Sequence, residues 1–195
     1  MKLTKKDIPY FARIIGVLLV ITMCVAALLS LVNEITADTI AKNEEKKTAE
    51  AIRSLFADAS APVAEDQGFA FADPSYNALY KVTDGGELVG YYVSVCPTGF
   101  KGAVNLLVGI TTDGSVCGIS VLSHSETVGI GDKIEDESFL STLIGRKDGV
   151  TYKKGSDGSD SFADGISGAT YSSKAVIVGT DVALKAYNSF VGGAA

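Results

Sequence analysis

The residues best suited to chemistry in this chain fall in two short segments. The first is Asp164-Gly165-Ile166-Ser167-Gly168-Ala169-Thr170-Tyr171-Ser172-Ser173, a run of small residues that opens straight into a helical pattern. Gly165 and Gly168 permit backbone angles closed to other residues, and Ala169 leaves room beside the Thr170 hydroxyl. A helix start offers N–H groups without helical partners and the positive end of the dipole, so it can hold a phosphate. A phosphate joined to Thr170 would sit just before those groups. On composition alone an ordinary helix-opening turn explains the segment better, because its glycines match neither a P-loop nor a dinucleotide fingerprint.

The second segment is His124-Ser125-Glu126-Thr127-Val128-Gly129-Ile130-Gly131-Asp132-Lys133. It packs donors and acceptors into a few positions and ends in a Gly-x-Gly turn that lets backbone approach a flat ligand. His124 is the chain's one histidine. No Ser/His/Asp or Cys/His arrangement accompanies it, so it reads as a residue that orients the loop rather than a general base. Glu126 likewise reads as a hydrogen-bonding, loop-fixing group. No catalytic residue is expected. A metal site is not expected either, with one histidine, three cysteines and no Cys-x-x-Cys. The aspartates of the polar loop 153–164 (Asp157, Asp160, Asp164) match no EF-hand spacing and read as solvated.

Elements must hold these two segments together. Residues 78–83 and 88–96 read as strands around the turn Asp84-Gly85-Gly86, and 103–110 and 115–122 as strands around Thr111-Thr112-Asp113-Gly114. In the third of these Val104, Leu106, Val108 and Ile110 alternate with Asn105, Leu107 and Gly109, which turns one face inward. A short helical patch is expected over 134–144, with Leu140, Leu143 and Ile144 as its apolar side. From Ser173 onward Val176, Ile177, Thr180, Ala183, Leu184 and Tyr187 recur at helical spacing, and Ser172 or Ser173 suits its N-cap. Cys96 and Cys117 fall in strands; they can pair or stay as buried thiols.

Ahead of the sheet lies a different kind of segment. Residues 14–32 carry no charge and are long enough, at 1.5 Å per residue, to cross a hydrocarbon layer of about 30 Å. No small-x-small cleavage site follows, so an uncleaved anchor is expected rather than a signal peptide. Lys2, Lys5, Lys6 and Arg13 before it place the N-terminus in the cytoplasm and the rest outside. Residues 36–56 read as an amphipathic helix, and 57–74, rich in Ala, Asp, Gly and Pro, as a linker. The expected organisation is 1–13 cytoplasmic, 14–32 spanning the bilayer, 33–74 helix and linker, and 75–195 the outer domain. The fold class is α+β, a transmembrane helix followed by a twisted antiparallel sheet flanked by helices. The net charge of −6 argues against nucleic acid as a partner.

With these residues in view, the chain resembles a known family. Asp-Gly-Ile-Ser-Gly-Ala-Thr-Tyr-Ser-Ser at 164–173 is similar to the flavinylation motif shared by the RnfG component of Rnf electron-transport complexes and the NqrC component of the sodium-pumping NADH:quinone reductase. The segment 124–131 resembles that family's second signature, usually His-x-Glu-Thr-Pro-Gly-Leu-Gly, with Val128 in place of Pro and Ile130 in place of Leu. The likeness extends to the anchor, to Gly90-Tyr91 and to Gly99-Phe100-Lys101-Gly102.

The resemblance implies an extracytoplasmic FMN-binding domain with FMN esterified through its phosphate to Thr170. A separate magnesium-dependent flavin transferase would attach it from FAD, with Asp164 helping that enzyme recognise the loop. Ser167, Gly168 and Ala169 would line the phosphate and ribityl end; Glu126, Thr127, Gly129 and Ile130 would flank the ring. The implied function is electron relay in an Rnf-type complex that couples ferredoxin:NAD electron transfer to movement of Na+ or H+. The other membrane proteins of the complex and the bilayer would be its partners, and no complete active site would lie on this chain alone. The NqrC component of the quinone reductase, a stand-alone extracytoplasmic flavoprotein and a flavin-free tethered scaffold are the competing readings.

Overall fold

The computed structural model describes residues 8–155 and 162–193. The residues Lys2, Lys5, Lys6, Asp157 and Asp160 named above lie outside them. Two compact units divide the chain, Met1–Lys46 and Lys47–Ala195.

The first helix, α1 (Ile8–Leu55), is continuous where separate anchor and amphipathic helices were expected. No glycine or proline lies between Val32 and Thr36 to break it, and the Thr36 hydroxyl donates back to the Val32 carbonyl at 2.7 Å. Within its apolar part the Thr22 hydroxyl likewise donates to the Leu18 carbonyl at 2.9 Å, so that hydroxyl has a partner inside the helix. This helix is long and apolar enough to cross a membrane, and its large apolar side chains from Ile14 to Val32 are exposed.

The second unit is built on a five-stranded antiparallel meander of β1 (Val63–Asp66), β2 (Tyr76–Asp84), β3 (Glu87–Val95), β4 (Asn105–Thr111) and β5 (Val116–Ser123), paired in chain order. The two expected hairpins are present. β1 is an addition, since 57–74 was expected as linker. Its Val-Ala-Glu-Asp has no alternating apolar face, and it is held by backbone pairing to β2. The chain just before β1 is held by Asp84, which accepts from the Ser60 and Ala61 N–H groups at 2.8 and 3.1 Å. A charged edge strand of this kind resists further pairing. The compact unit thus includes both this segment and the end of α1, ahead of the expected domain start at 75.

After β5 come a single-turn helix at Gly131–Glu135, α2 (Glu137–Leu140) and another turn at Ser141–Leu143, filling the expected helical patch. Ile134, Phe139 and Leu143 are its buried side chains, whereas Ile144 is exposed. Two short strands, β6 (Thr151–Tyr152) and β7 (Phe162–Ala163), pair in parallel. The closing helix α3 (Thr170–Gly193) starts ahead of the cap signals at Ser172 and Ser173. Those serines are not caps. Ser173 Oγ donates to the Ala169 carbonyl and accepts from the Ile166 N–H, both at 2.9 Å.

Both faces of the sheet are covered. On one, Leu79, Val93, Val95, Leu106, Val108 and Ile110 pack against Val176, Ile177, Ala183 and Leu184 of α3. On the other, Val82, Tyr92 and Leu107 meet Ala51, Ile52, Leu55 and Phe56 at the end of α1. This second layer explains why Leu107, on the face opposite its neighbours, is also buried. Cys96 and Cys117 are both free thiols, and burial pushes Cys117 up to about 11, so it stays protonated.

The end of α1 approaches the sheet where glycine floors it. A Cβ on Gly90 would lie 2.6 Å from the Ile110 carbonyl oxygen and 2.8 Å from the Phe56 ring. One of those contacts is backbone and cannot yield without disturbing the β3–β4 pairing. Gly90→Ala is therefore expected to lower stability by about 1–3 kcal/mol, the range for overpacking. Thermal unfolding of the full chain in detergent measures it. Gly192→Ala, near the end of α3 with nothing within 4 Å, is the control expected to leave the melting temperature in place.

Candidate functional site

Three loops converge at one end of the sheet, each shaped by its own short-range bonds. The β3–β4 loop is pinched by a bridge between Thr98 and Ala103 and by the Gly99 N–H donating to the Gly102 carbonyl at 2.7 Å. The loop after β5 folds around the Thr127 carbonyl, which accepts from Ile130, Gly131 and Asp132. Gly129, at φ +80°, makes that turn possible, and its N–H donates to Asp132 Oδ2 at 2.9 Å. The third loop enters α3 through Gly168 at φ +84°, with Ala169 donating to the Ile166 carbonyl.

One carboxylate joins all three. Glu126 is 6 % exposed. Its Oε1 accepts from the backbone N–H groups of Phe100 and Lys101 at 2.8 and 3.0 Å, and its Oε2 accepts from the Ser172 hydroxyl at 2.5 Å. Two glycines leave it room: a Cβ on Gly99 would come within 2.5 Å of Oε1, and one on Gly131 within 3.0 Å of Oε2. Burial pushes the Glu126 pKa up, but the bonds from Ser172, Lys101 and Phe100 and the neighbouring His124 together outweigh it, leaving the group below the ordinary glutamate value. His124 fixes the same residue from behind. Its Nδ1 accepts from the Glu126 N–H at 3.1 Å while Nε2 faces Glu135 Oε1 at 3.0 Å, so the proton belongs on Nε2 in the neutral ring.

Between the loops lies a cavity of about 360 Å³, within the size range of small-ligand sites. Of the residues singled out from the sequence, Glu126, Thr127, Ile130, Gly168, Ala169 and Thr170 line it. Gly129 shapes the turn beside it, while Ser167 and Asp164 belong to the third loop; Asp164 Oδ1 accepts from the Gly165 N–H at 2.8 Å. Gly131, of the Gly-x-Gly turn, also lines the cavity, as do Phe100, Tyr171 and Ser172, whose residue types suggested no such role. These three sit inside the quoted motifs, so the signal was present as position but not as contact.

Thr170 is exposed, opens α3, and reaches the cavity beside N–H groups of the helix's first turn, which lack helical partners. Among the described residues that line the cavity, Glu126 is the one carboxylate, and three donors occupy it. The arrangement can hold a phosphate at the helix start and a flat apolar group against the loops. It offers no free base to activate a nucleophile. These features fit FMN: a polar end for phosphate, a predominantly apolar cavity for the ring, and an accessible hydroxyl between.

The tie at Glu126 has a measurable acid sensitivity. Because its folded-state pKa is depressed, its contribution is fully present above the unfolded value of about 4.3 and is lost as pH falls through the lower folded value. Glu126→Gln is expected to flatten the fall in stability below about pH 4 relative to the parent chain. Glu126→Ala, which strands three donors, is expected to cost about 3 kcal/mol at neutral pH. Chemical denaturation at neutral and acid pH reads both.

Comparison with known proteins places this geometry. A family model for an FMN-binding domain matches residues 99–185, and one for an RnfG N-terminal region matches residues 16–55. The chain is 30 % identical over 189 residues to the G component of the Na+-translocating ferredoxin:NAD+ oxidoreductase complex of Acetobacterium woodii, an alignment covering 89 % of each chain. It is 34 % identical over 115 residues to the G component of the proton-translocating ferredoxin:NAD+ oxidoreductase complex of Clostridium ljungdahlii, covering 58 % of this chain and 62 % of that relative. The crystal structure of NqrC from Shewanella oneidensis shares the fold, with a TM-score of 0.52 at 19 % identity over 72 % of this chain and 86 % of that one. The chain belongs to the RnfG family of ion-translocating oxidoreductase complexes, as a redox component built around an FMN-binding domain.

Proposed function

We propose that FMN is bound covalently, as a phosphodiester on Thr170, and that the chain relays electrons in an Rnf-type complex coupling ferredoxin:NAD electron transfer to movement of Na+ or H+. The observation that supports this best is the exposed Thr170 hydroxyl at the first residue of α3, in the wall of the cavity. A phosphate there would meet the helix start, and no lysine or arginine is among the described residues that line the cavity. FMN, when bound, supplies the capacity to take up and give back one or two electrons.

Attachment needs an outside catalyst, in keeping with a cavity whose carboxylate is already engaged. A flavin transferase would direct Thr170 Oγ1 onto the FMN-side phosphorus of FAD. The new P–O bond forms, the pyrophosphate bond breaks, AMP leaves, and the hydroxyl proton passes to solvent through the transferase. Asp164, at the head of the loop, is suited to recognition by that enzyme. Ser167, Gly168 and Ala169 lie at the phosphate and ribityl end; Glu126, Thr127 and Ile130 stand toward the ring, and Gly129 acts by shaping the turn. The basic residues before the span put the N-terminus in the cytoplasm and the domain outside, where a tether keeps the cofactor from being lost by dilution.

Denaturing gels of chain matured with transferase and FAD test the attachment. The parent chain is expected to give a fluorescent band, Thr170→Val a dark one of unchanged abundance, and Asp164→Asn a dimmer one. A dark parent band, or a fluorescent Thr170→Val band, counts against the ester. Co-purification of several polytopic membrane proteins supports the complex over a stand-alone flavoprotein.

A further inference from the structure

We propose that Phe100 and Tyr171 form the seat for the cofactor's flat ring system, an inference that rests on FMN being held at Thr170. These are two large aromatic side chains on the surface of the domain, 66 % and 68 % exposed, and both line the cavity. Exposed aromatic area of this size forgoes the free energy of burial, which a flat apolar occupant would recover.

Their placement is built rather than incidental. The ring centroids lie 6.1 Å apart with the planes tilted by 39°. Neither ring's backbone can drift. The Phe100 N–H is bonded to Glu126 Oε1, and Tyr171 precedes Ser172, whose hydroxyl is bonded to Glu126 Oε2. The carboxylate therefore ties together the two backbone segments from which the rings project. A spacing of 6.1 Å is less than the roughly 7 Å that two stacking contacts need, so a third ring cannot slide between them. A flat ring system would instead rest across the pair. Tyr171 directly follows Thr170, so a phosphate on that hydroxyl and a ring against Tyr171 would both be held at the start of α3.

Full chains carrying Phe100→Leu, Tyr171→Leu or Tyr171→Phe, each matured with FAD and transferase and purified in detergent, test the seat. Exposed side chains of this kind are expected to leave the melting temperature nearly unchanged. Flavin emission and visible absorption are read first on native protein and then on the same sample in SDS, which normalises for loading. The parent chain is expected to be several-fold dimmer native than denatured, because tyrosine in van der Waals contact quenches flavin. Tyr171→Leu and Tyr171→Phe are expected to recover most of that emission. Phe100→Leu and Tyr171→Leu are expected to shift the native absorption band toward its denatured position, whereas Tyr171→Phe, which keeps the ring, holds it. Native emission and absorption equal to the parent's in all three variants, with equal flavin after denaturation, overturn the seat alone. A parent chain that carries no flavin after denaturation overturns the ester at Thr170 and the seat with it.

Discussion

The site depends on one buried carboxylate shared among three loops. Glu126 takes two backbone N–H groups from the β3–β4 loop and one hydroxyl from the first turn of α3, while its own backbone is pinned by His124. Each loop alone is a surface connection with ordinary freedom. Bound to the same two oxygens, they become walls of a single cavity with fixed separations. The constraint propagates backward into the sequence: Gly99 and Gly131 flank the carboxylate because a methyl at either position would displace it. It also explains why an ionised group is tolerated at 6 % exposure, since three donors replace the water it gives up.

Such a tie holds only if its anchor points do not move. α3 supplies one of them, and its Val176, Ile177, Ala183 and Leu184 are sealed against β2, β3 and β4. Thr170 and Ser172 therefore ride on a deeply packed helix of the domain rather than on a loop. The sheet supplies the others, and it is stiffened from behind by Leu55 and Phe56 seated over Gly90, Gly109 and Gly118. A one-sided sheet would bend with its loops; a sheet packed on both faces holds them in register.

Much of this architecture is legible in the residues, and what is not has identifiable causes. The strands β2 to β5 announce themselves by the glycine-bearing turns between them, and β4 by its period-two alternation as well. β1 does not, because an edge strand stabilised by backbone pairing needs no apolar face, and Val-Ala-Glu-Asp has almost none. β6 and β7, two residues each, are too short for any periodicity. The start of α3 is disguised because Ser172 and Ser173 look like caps, yet their hydroxyls are committed to Glu126 and to the Ala169 and Ile166 backbone. Local propensity loses there to tertiary bonds. Motif position singles out Thr170 and Glu126, and both line the cavity. The part Glu126 plays is not, because its partners at 100, 101 and 172 are brought to it only by folding.

The absence of a spare base among the described residues of the cavity wall bears on how such a site is used. A pocket that catalysed its own modification would need a general base free to take the Thr170 proton, and Glu126, the carboxylate in the wall, is spent on three structural bonds. Freeing it for proton transfer would release the loops that define the cavity, so catalysis and shape compete for one group. Under the proposed attachment, assigning the carboxylate to shape would leave the hydroxyl to be acted on by another protein, and the helix start and apolar walls to hold the attached group. The exposure of the Thr170 side chain suits the proposed attachment: an outside enzyme could reach it at the rim of the cavity, while the tie that fixes the walls lies buried.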